Sequence, residues 1–567
     1  MNVTFNLVHE PWICTTTTDG DKVLSLQQIF DGTEQPLSVV GDSPTQDYAV
    51  LRVLLAIYWR AHHQHLKNSV PTGRRSRGFR WEPWFQEQRS QARQHQRDDI
   101  VLAYLKEYEH RFNLIDDEVP FMQVATLHTS KNTHSPISRI LPDAEADFFT
   151  MRTGAGRASI SFPEAARWLI HQHAYDYSGI KSGATEDPRV KGGKGYPIGT
   201  GWAGMTGGTV VRGETLQETL VLNTVKEAVD PMATGDTPIW ERDPDTPSQR
   251  LFDPSAPKEG VMPNGPADLA TWQTRRIRLF PEGDRVTGVL VCNGDRIPDA
   301  GKNVFGDPMT PYRYSPNQSK KNLTAYYPKP YDSERTVWNS LDALLVSEDD
   351  TGFGGKNLAP IKPATLSNLA EIADVTGEQE LLDIAIVSME YGPQSSSVGT
   401  VISGEIGLPL YLLQTNEYST TDRQRVRAAA QAVRDTAVCL GWFEGQLAVA
   451  AGGEYSFGSK SADRLYALLK PEFMTWLRDL DIEDVAAECL RWQELVRDSA
   501  LELAAELVRG AGPKAMIGRL DSTEDGKGRV INAGSIHNQL LRKLRDALPL
   551  LAQRNTERTS QQGENDD

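Results

Sequence analysis

From Asp422 onward the sequence settles into one repeating pattern. Val426, Ala430, Val433, Ala437 and Leu440 recur at intervals of three and four; so do Cys489, Trp492, Val496, Leu503 and Leu507, then Ile536, Leu540, Leu544, Leu548 and Leu551. Such spacing gathers apolar side chains on one face of a helix. With a shorter run over 463–477 it gives four amphipathic helices, the number that closes an antiparallel bundle. Before the polar linker Asn416-Glu-Tyr-Ser-Thr-Thr-Asp422, whose last residue suits a helix cap, nothing has that regularity. The predicted class is therefore α+β: a large mixed α/β N-terminal domain over 1–415, a C-terminal four-helix bundle over 420–553, and a polar tail, 554–567, expected to be disordered.

The first thirty residues predict short strands turning at Asp19-Gly20-Asp21, and Asp47–Arg60 predicts a strongly apolar helix with Asp47 at its N-terminal end. Val286 to Val291 reads as a strand. Leu366 to Ile386 reads as a helix, Tyr391–Val398 as a break, and Leu408 to Leu413 as a strand. No apolar run approaches the roughly 20 residues that span a bilayer, so no membrane contact is expected. The four cysteines, Cys14, Cys292, Cys439 and Cys489, are scattered without a CxxC pair, which fits a reducing cytoplasm better than a disulfide framework or a zinc site.

The net charge of −16 conceals basic segments: nine Lys/Arg against two Asp/Glu over 60–97, eight against four over 150–213, and ten against five over 271–330. Such a chain can hold a polyanion locally while resisting indiscriminate coating. In the basic-aromatic loop Gly73–Trp81, Arg74 and Arg75 are candidate phosphate contacts. Arg89, Arg93 and Arg97 form a stripe along a helix, either a solvated face or a phosphate-contacting one.

The densest signal is Lys191–Gly213, in which nine of twenty-three residues are glycine and Lys191, Lys194, Arg212 and Trp202 are interleaved. Glycine permits positive φ and close approach of backbone to another surface, and exposed N–H groups beside cations suit phosphates or a groove edge. Within it, Gly199-Thr-Gly201-Trp-Ala-Gly204 matches GxGxxG but lacks the strand before and the helix after that a dinucleotide site requires. Walker A, HExxH and GxSxG patterns are missing. The histidines at 62, 63 and 65 and at 171 and 173 have no suitably spaced carboxylate or cysteine. No nucleophile, base and oxyanion site assemble, so the chain reads as a binding protein rather than an enzyme, with no cofactor and no metal.

Several segments, in order, resemble the large subunit of the type I-E CRISPR Cascade complex, the CasA family. Phe5-Asn-Leu-Val-His-Glu-Pro-Trp-Ile13 is similar to that family's opening, Pro120-Phe-Met-Gln123 to an internal tetrapeptide, and Gly207-Gly-Thr…Val211-Arg-Gly213 with Leu220-Val-Leu-Asn223 to its glycine-loop exit and following helix. The resemblance implies a subunit that contacts the 5′ handle of a guide RNA, recognises the motif flanking the protospacer in double-stranded target DNA, aids strand opening, and recruits a helicase-nuclease. Its partners would be the guide RNA, the target duplex and the other Cascade subunits. By position, Gly199, Thr200 and Gly201 would face the minor groove, with Lys302 the nearest match to a groove lysine. Gln394, with Ser395 beside it, would be the wedge; Pro393 stands where the family has asparagine. Phe149, Arg152 and Arg157, in the Gly/Arg/Ser loop 148–161, would meet the RNA handle. Two other readings stay open: a nucleotide-dependent enzyme using the 199–204 glycines, and a purely structural assembly subunit.

Overall fold

Helix α1, Pro44–Ser69, is buried almost all round from Tyr48 to His63, as expected where apolar residues cover every face. It begins three residues before Asp47, at a proline whose missing N–H costs nothing in a first turn, and runs nine residues past Arg60. Helix α2, Phe162–Tyr175, packs across it; Ser161 caps it by accepting from the Glu164 N–H at 3.4 Å, with Pro163 in the first turn. The computed structural model describes residues 4–69, 79–142, 150–251, 255, 260–298, 306–320, 324–331, 336–346, 350, 353, 358–521 and 529–554. The tail beyond Arg554 lies outside them.

Two sheets flank these helices. Strand β1, Gly208–Arg212, belongs to one; β2, Arg275–Glu282, and β3, Arg285–Asn293, form the antiparallel hairpin of the other, turning through Gly283 at φ 64°. Strands β4, Leu381–Tyr391, and β5, Val398–Pro409, pair antiparallel, and β4 also pairs β1, giving the order β5-β4-β1. The helix expected over Leu366–Ile386 is two elements: a helix, Ala364–Thr376, stopped by Gly377 in the left-handed region at φ 75°, and then the start of β4. Likewise the expected strand at Leu408 ends at Pro409, and Leu410–Leu413 is a 3₁₀ turn.

Four C-terminal helices follow: α3, Glu417–Ala450; α4, Ser459–Arg478; α5, Val485–Ile517; and α6, Ala533–Ala547. The α3 cap is Asn416, which accepts from the Ser419 N–H at 3.0 Å, and not Asp422. Asp422 lies a turn inside, accepting from the Tyr411 hydroxyl at 2.9 Å. Helix α5 is interrupted at Gly512 (φ 74°), just before Pro513. Helix α3 packs against α4, α5 and α6, and their apolar stripes join a single buried core with the residues around α1 and β4. Arg423, buried on α3, crosses to Asp350 at 2.8 Å and donates to the Leu412 and Gln414 carbonyls.

Candidate nucleic-acid interface

The glycine-rich segment begins as a projecting hairpin. Gly192 (φ 58°) and Gly193 (φ 72°) form its two-residue turn, where two consecutive positive φ values favour glycine. Lys191 and Lys194 exchange main-chain N–H···O bonds of 3.1 Å across it, so their exposed side chains leave the same face. Lys194–Gly195 pairs with Lys181–Ser182, which lies beside β3. The Asn293 amide donates to the Tyr196 carbonyl at 2.6 Å and would meet a Cβ on Gly195 at 2.8 Å.

Gly199 is half-buried at φ 107°, and a Cβ there would point into open space. The chain then turns inward. Thr200 is buried, and a Cβ on Gly201 would collide with the Ala174 carbonyl. The Gly201 N–H donates to the Asp176 carbonyl at 3.2 Å. Thr200 and Gly201 are thus the anchor of the loop, and Gly199 is the part that faces out. The buried Trp202 opens a single helical turn, Trp202–Met205, and donates to Asp307 at 2.5 Å; strand β1 comes after it. This hairpin–turn–strand order is the reverse of the strand–loop–helix a dinucleotide fingerprint needs.

At the tip joining β4 to β5, Gln394 (φ 56°) and Ser395 (φ 53°) both occupy the left-handed region. The Gly392 N–H donates to the Ser397 carbonyl at 3.0 Å, and the Ser395 and Ser396 N–H groups donate to the Gly392 and Pro393 carbonyls at 2.9 and 3.2 Å. Gln394 is exposed; Ser395 is half-buried because its carbonyl accepts from the Ser178 N–H at 2.7 Å.

Both loops reach the segment that leaves α2, Tyr175-Asp176-Tyr177-Ser178. Asp176, buried, is gripped by Arg275 at 2.5 Å, Lys181 at 2.9 Å and Arg139 at 3.1 Å. Burial alone would raise its carboxyl; Arg275 first, then Lys181 and Arg139, outweigh that and hold it well below the usual carboxylate range. Burial brings Lys181 down to about 8, with Asp176 opposing. Arg275 also donates to the Tyr177 carbonyl at 3.0 Å and the Gly199 carbonyl at 2.8 Å. Lys181 and Arg139 lie over the Tyr177 ring, at 4.0 and 4.8 Å from its centroid. No sequence motif announces this cluster; its side chains come from four separate segments.

Other expected contacts fall elsewhere. Arg152 pairs with Glu164 at 2.6 Å, and Arg157 sits on the turn Ala155–Ala158 of the same loop, which Arg285 ties down through Ser159. Phe149, Lys302, Arg74 and Arg75 lie outside the described residues. Arg212 does not join the loop site: it pairs with Glu405 and lies opposite Asp383. Eight residue steps along the strand, about 26 Å, separate Asp383 from Tyr391 at the base of the tip. The arginine stripe is split: Arg89 is buried, whereas Arg93 and Arg97 are exposed but paired with acids, and Arg97 lies past the end of the helix Trp81–Arg93. Arg89 bonds Glu218 at 2.9 Å and Glu380 at 2.7 Å, Arg93 bonds Glu218 at 2.6 Å, and Arg97 pairs with Asp99. His171 and His173 are core residues, pushed by burial down to about 3 and about 4, and bonded to Thr45 and the Met122 carbonyl.

The family model for CRISPR-associated protein Cse1 matches residues 6–503. A curated relative, CRISPR-associated protein CasA/Cse1 of Thermus thermophilus, is 25% identical over 370 residues. The match takes in 64% of this chain and 63% of that protein, just under two thirds of the relative's length. The crystal structure of Thermobifida fusca Cse1 superposes with a TM-score of 0.81 at 33% identity, covering 96% of this chain and 98% of that one. A chain from a CRISPR RNA-guided surveillance complex shares the fold, with a TM-score of 0.61 at 18% identity over 90% of this chain and 99% of that one.

Proposed function

The chain belongs to the CRISPR-associated protein Cse1 family, and from that membership we propose that it is the large subunit of a type I-E RNA-guided surveillance complex, reading the motif beside the target in duplex DNA. The observation that carries this reading is a convergence. Gly199 and Gln394, far apart in sequence, both lie on outward-facing turns bonded to one four-residue segment, with two lysines projecting from the adjoining hairpin. Gly199 offers a surface with no side chain to the minor groove, whose pattern distinguishes little beyond A·T from G·C. Motif selection by such a surface is permissive, and base pairing with the guide reads the rest. Gln394 enters beneath the motif as a wedge; unstacking a base step costs a few kcal/mol, offset by contacts the opened duplex permits. Lys191 and Lys194 neutralise flanking phosphates. The loop carrying Phe149, Arg152 and Arg157 meets the RNA handle, and the bundle over 420–553 docks on neighbouring subunits and later receives the helicase-nuclease.

The test is made in the assembled complex. Gly199→Asp is expected to weaken target-duplex binding at least tenfold in a gel shift while leaving subunit stoichiometry intact; unchanged affinity overturns the groove assignment. Gln394→Ala is expected to leave first contact largely intact and to reduce permanganate reactivity of the opened strand.

A further inference from the structure

The last residue of α2 and the three that follow it, Tyr175–Ser178, are tied to both loops through their main chain. The Tyr391 hydroxyl, at the base of the tip, donates to the Tyr175 carbonyl at 2.7 Å. That hydroxyl rests on Gly204, where a Cβ would strike it. The Asp176 carbonyl accepts from the Gly201 N–H, and the Ser178 N–H donates to the Ser395 carbonyl. The Tyr177 carbonyl accepts from Arg275 Nη2, which also donates to the Gly199 carbonyl, and from Lys181 at 3.0 Å. Every residue from Tyr175 to Ser178 therefore bonds the glycine loop, the tip, or a side chain that bonds one of them. Asp176, buried among Arg275, Lys181 and Arg139, fixes this segment from beneath.

We propose that Tyr175–Ser178, fixed by Asp176 and capped by Tyr391, is a positioning clamp that holds the Gly199 loop and the Gln394 tip as one rigid unit. Two independent loops would each have to be ordered on contact, at a cost in conformational entropy; a clamp sets their separation beforehand. The function of that rigidity rests on the reading above: the tip can open a duplex only at the register the glycine loop has set. Tyr391 and Asp176 are positioning residues in this scheme and touch no nucleic acid. The glycine at 204 acquires a reason that the dinucleotide pattern does not supply, which is to seat the Tyr391 hydroxyl.

The mechanical claim is tested on the full chain without nucleic acid, by amide hydrogen exchange. Tyr391→Phe removes one hydroxyl and keeps the ring. It is expected to speed exchange several-fold both in 392–397 and in 199–205, with little change in melting temperature. Gly204→Ala, which displaces the same hydroxyl from the opposite side, is expected to produce the same pair of changes. If either substitution speeds exchange only in the segment that carries it, the clamp is overturned. In the assembled complex, Gly199→Asp and Gln394→Ala are expected to be non-additive in duplex opening, and to become additive when Tyr391→Phe is added. A chain that fails to bind duplex at all would refute the proposed function while leaving the exchange result to stand or fall alone.

Discussion

Gln394 and Ser395 are two consecutive residues with side chains held in the left-handed region, each at a conformational cost of about 1–2 kcal/mol. Strain of this kind persists where the surroundings over-determine it, and here the Ser178 bond and the Gly392–Ser397 closure do so. Gln394→Gly is therefore expected to leave stability unchanged or raise it by up to about 1 kcal/mol, while duplex opening falls as it does in Gln394→Ala; melting and permanganate reactivity of the same preparation check both. A second residue is held at a cost. Asp47 accepts from the Gly41 N–H at 2.5 Å beside a cavity of about 700 Å³ floored by Leu51, Val210 and Ala385, and burial pushes its carboxyl up from 3.8 to about 7. The folded state thus holds this proton more tightly than the unfolded chain. The contribution is fully present below pH 4 and is lost as pH rises through 7. Asp47→Asn is expected to flatten that part of the stability profile and to add about 2–4 kcal/mol above pH 7.5; denaturant titrations at pH 4, 6 and 8 measure it. The sequence marked Asp47 as a helix start and Gln394 as a turn residue, because both properties are local. It did not mark Asp176, Arg275 or Tyr391, since each acquires its role only from partners that the fold brings in from distant segments.

At the level of elements, periodicity reads well where it is long. The stripes of α3, α5 and α6 extend over enough turns to identify the bundle, and the same residues are buried except Leu507, which is half-buried against the core. It reads poorly at Leu366–Ile386, where an apolar helix and an apolar central strand adjoin and only Gly377 separates them. A central strand shows little alternation, because both of its faces are covered. The helix Trp81–Arg93 shows the opposite failure: its arginines have the spacing of an exposed basic face, but the acids they meet lie elsewhere in the chain. Arg89 is therefore a structural ion. Arg89→Met removes one of the two arginines on Glu218, which is only 1% exposed and keeps Arg93 at 2.6 Å, and takes from Glu380 its nearest cation; it is expected to destabilise the fold by about 1.5–3 kcal/mol. Adding Glu218→Gln should recover part of that loss. Chemical denaturation of the single and double variants decides the matter, and equal stability of Arg89→Met and wild type would show the network to be superficial.

For the whole molecule, the sum of charges and their placement pull in opposite directions. A net charge of −16 repels a polyanion at long range, so any duplex contact must rest on a local excess of cations. Five candidate arginines that fall outside the loop site are tied up: Arg89 and Arg93 by Glu218, Arg97 by Asp99, Arg212 by Glu405, Arg152 by Glu164. Lys191 and Lys194 differ in standing exposed together on the turn of a hairpin five residues before Gly199. Each phosphate neutralised by a cation adds about −0.9 to the slope of log K against log salt, so the two lysines make a quantitative forecast. In the assembled complex, Lys191→Ala and Lys194→Ala are each expected to make that slope shallower by about one unit, and the double variant by about two. Arg212→Ala, which loses a cation already paired and about 26 Å of strand from the tip, is expected to leave the slope unchanged. The comparison separates a local contact from the general field. If electrostatic attraction came from overall charge, all three substitutions would shift affinity alike, whereas a groove contact at Gly199 requires the two lysines to alter the salt dependence and the arginine to leave it alone.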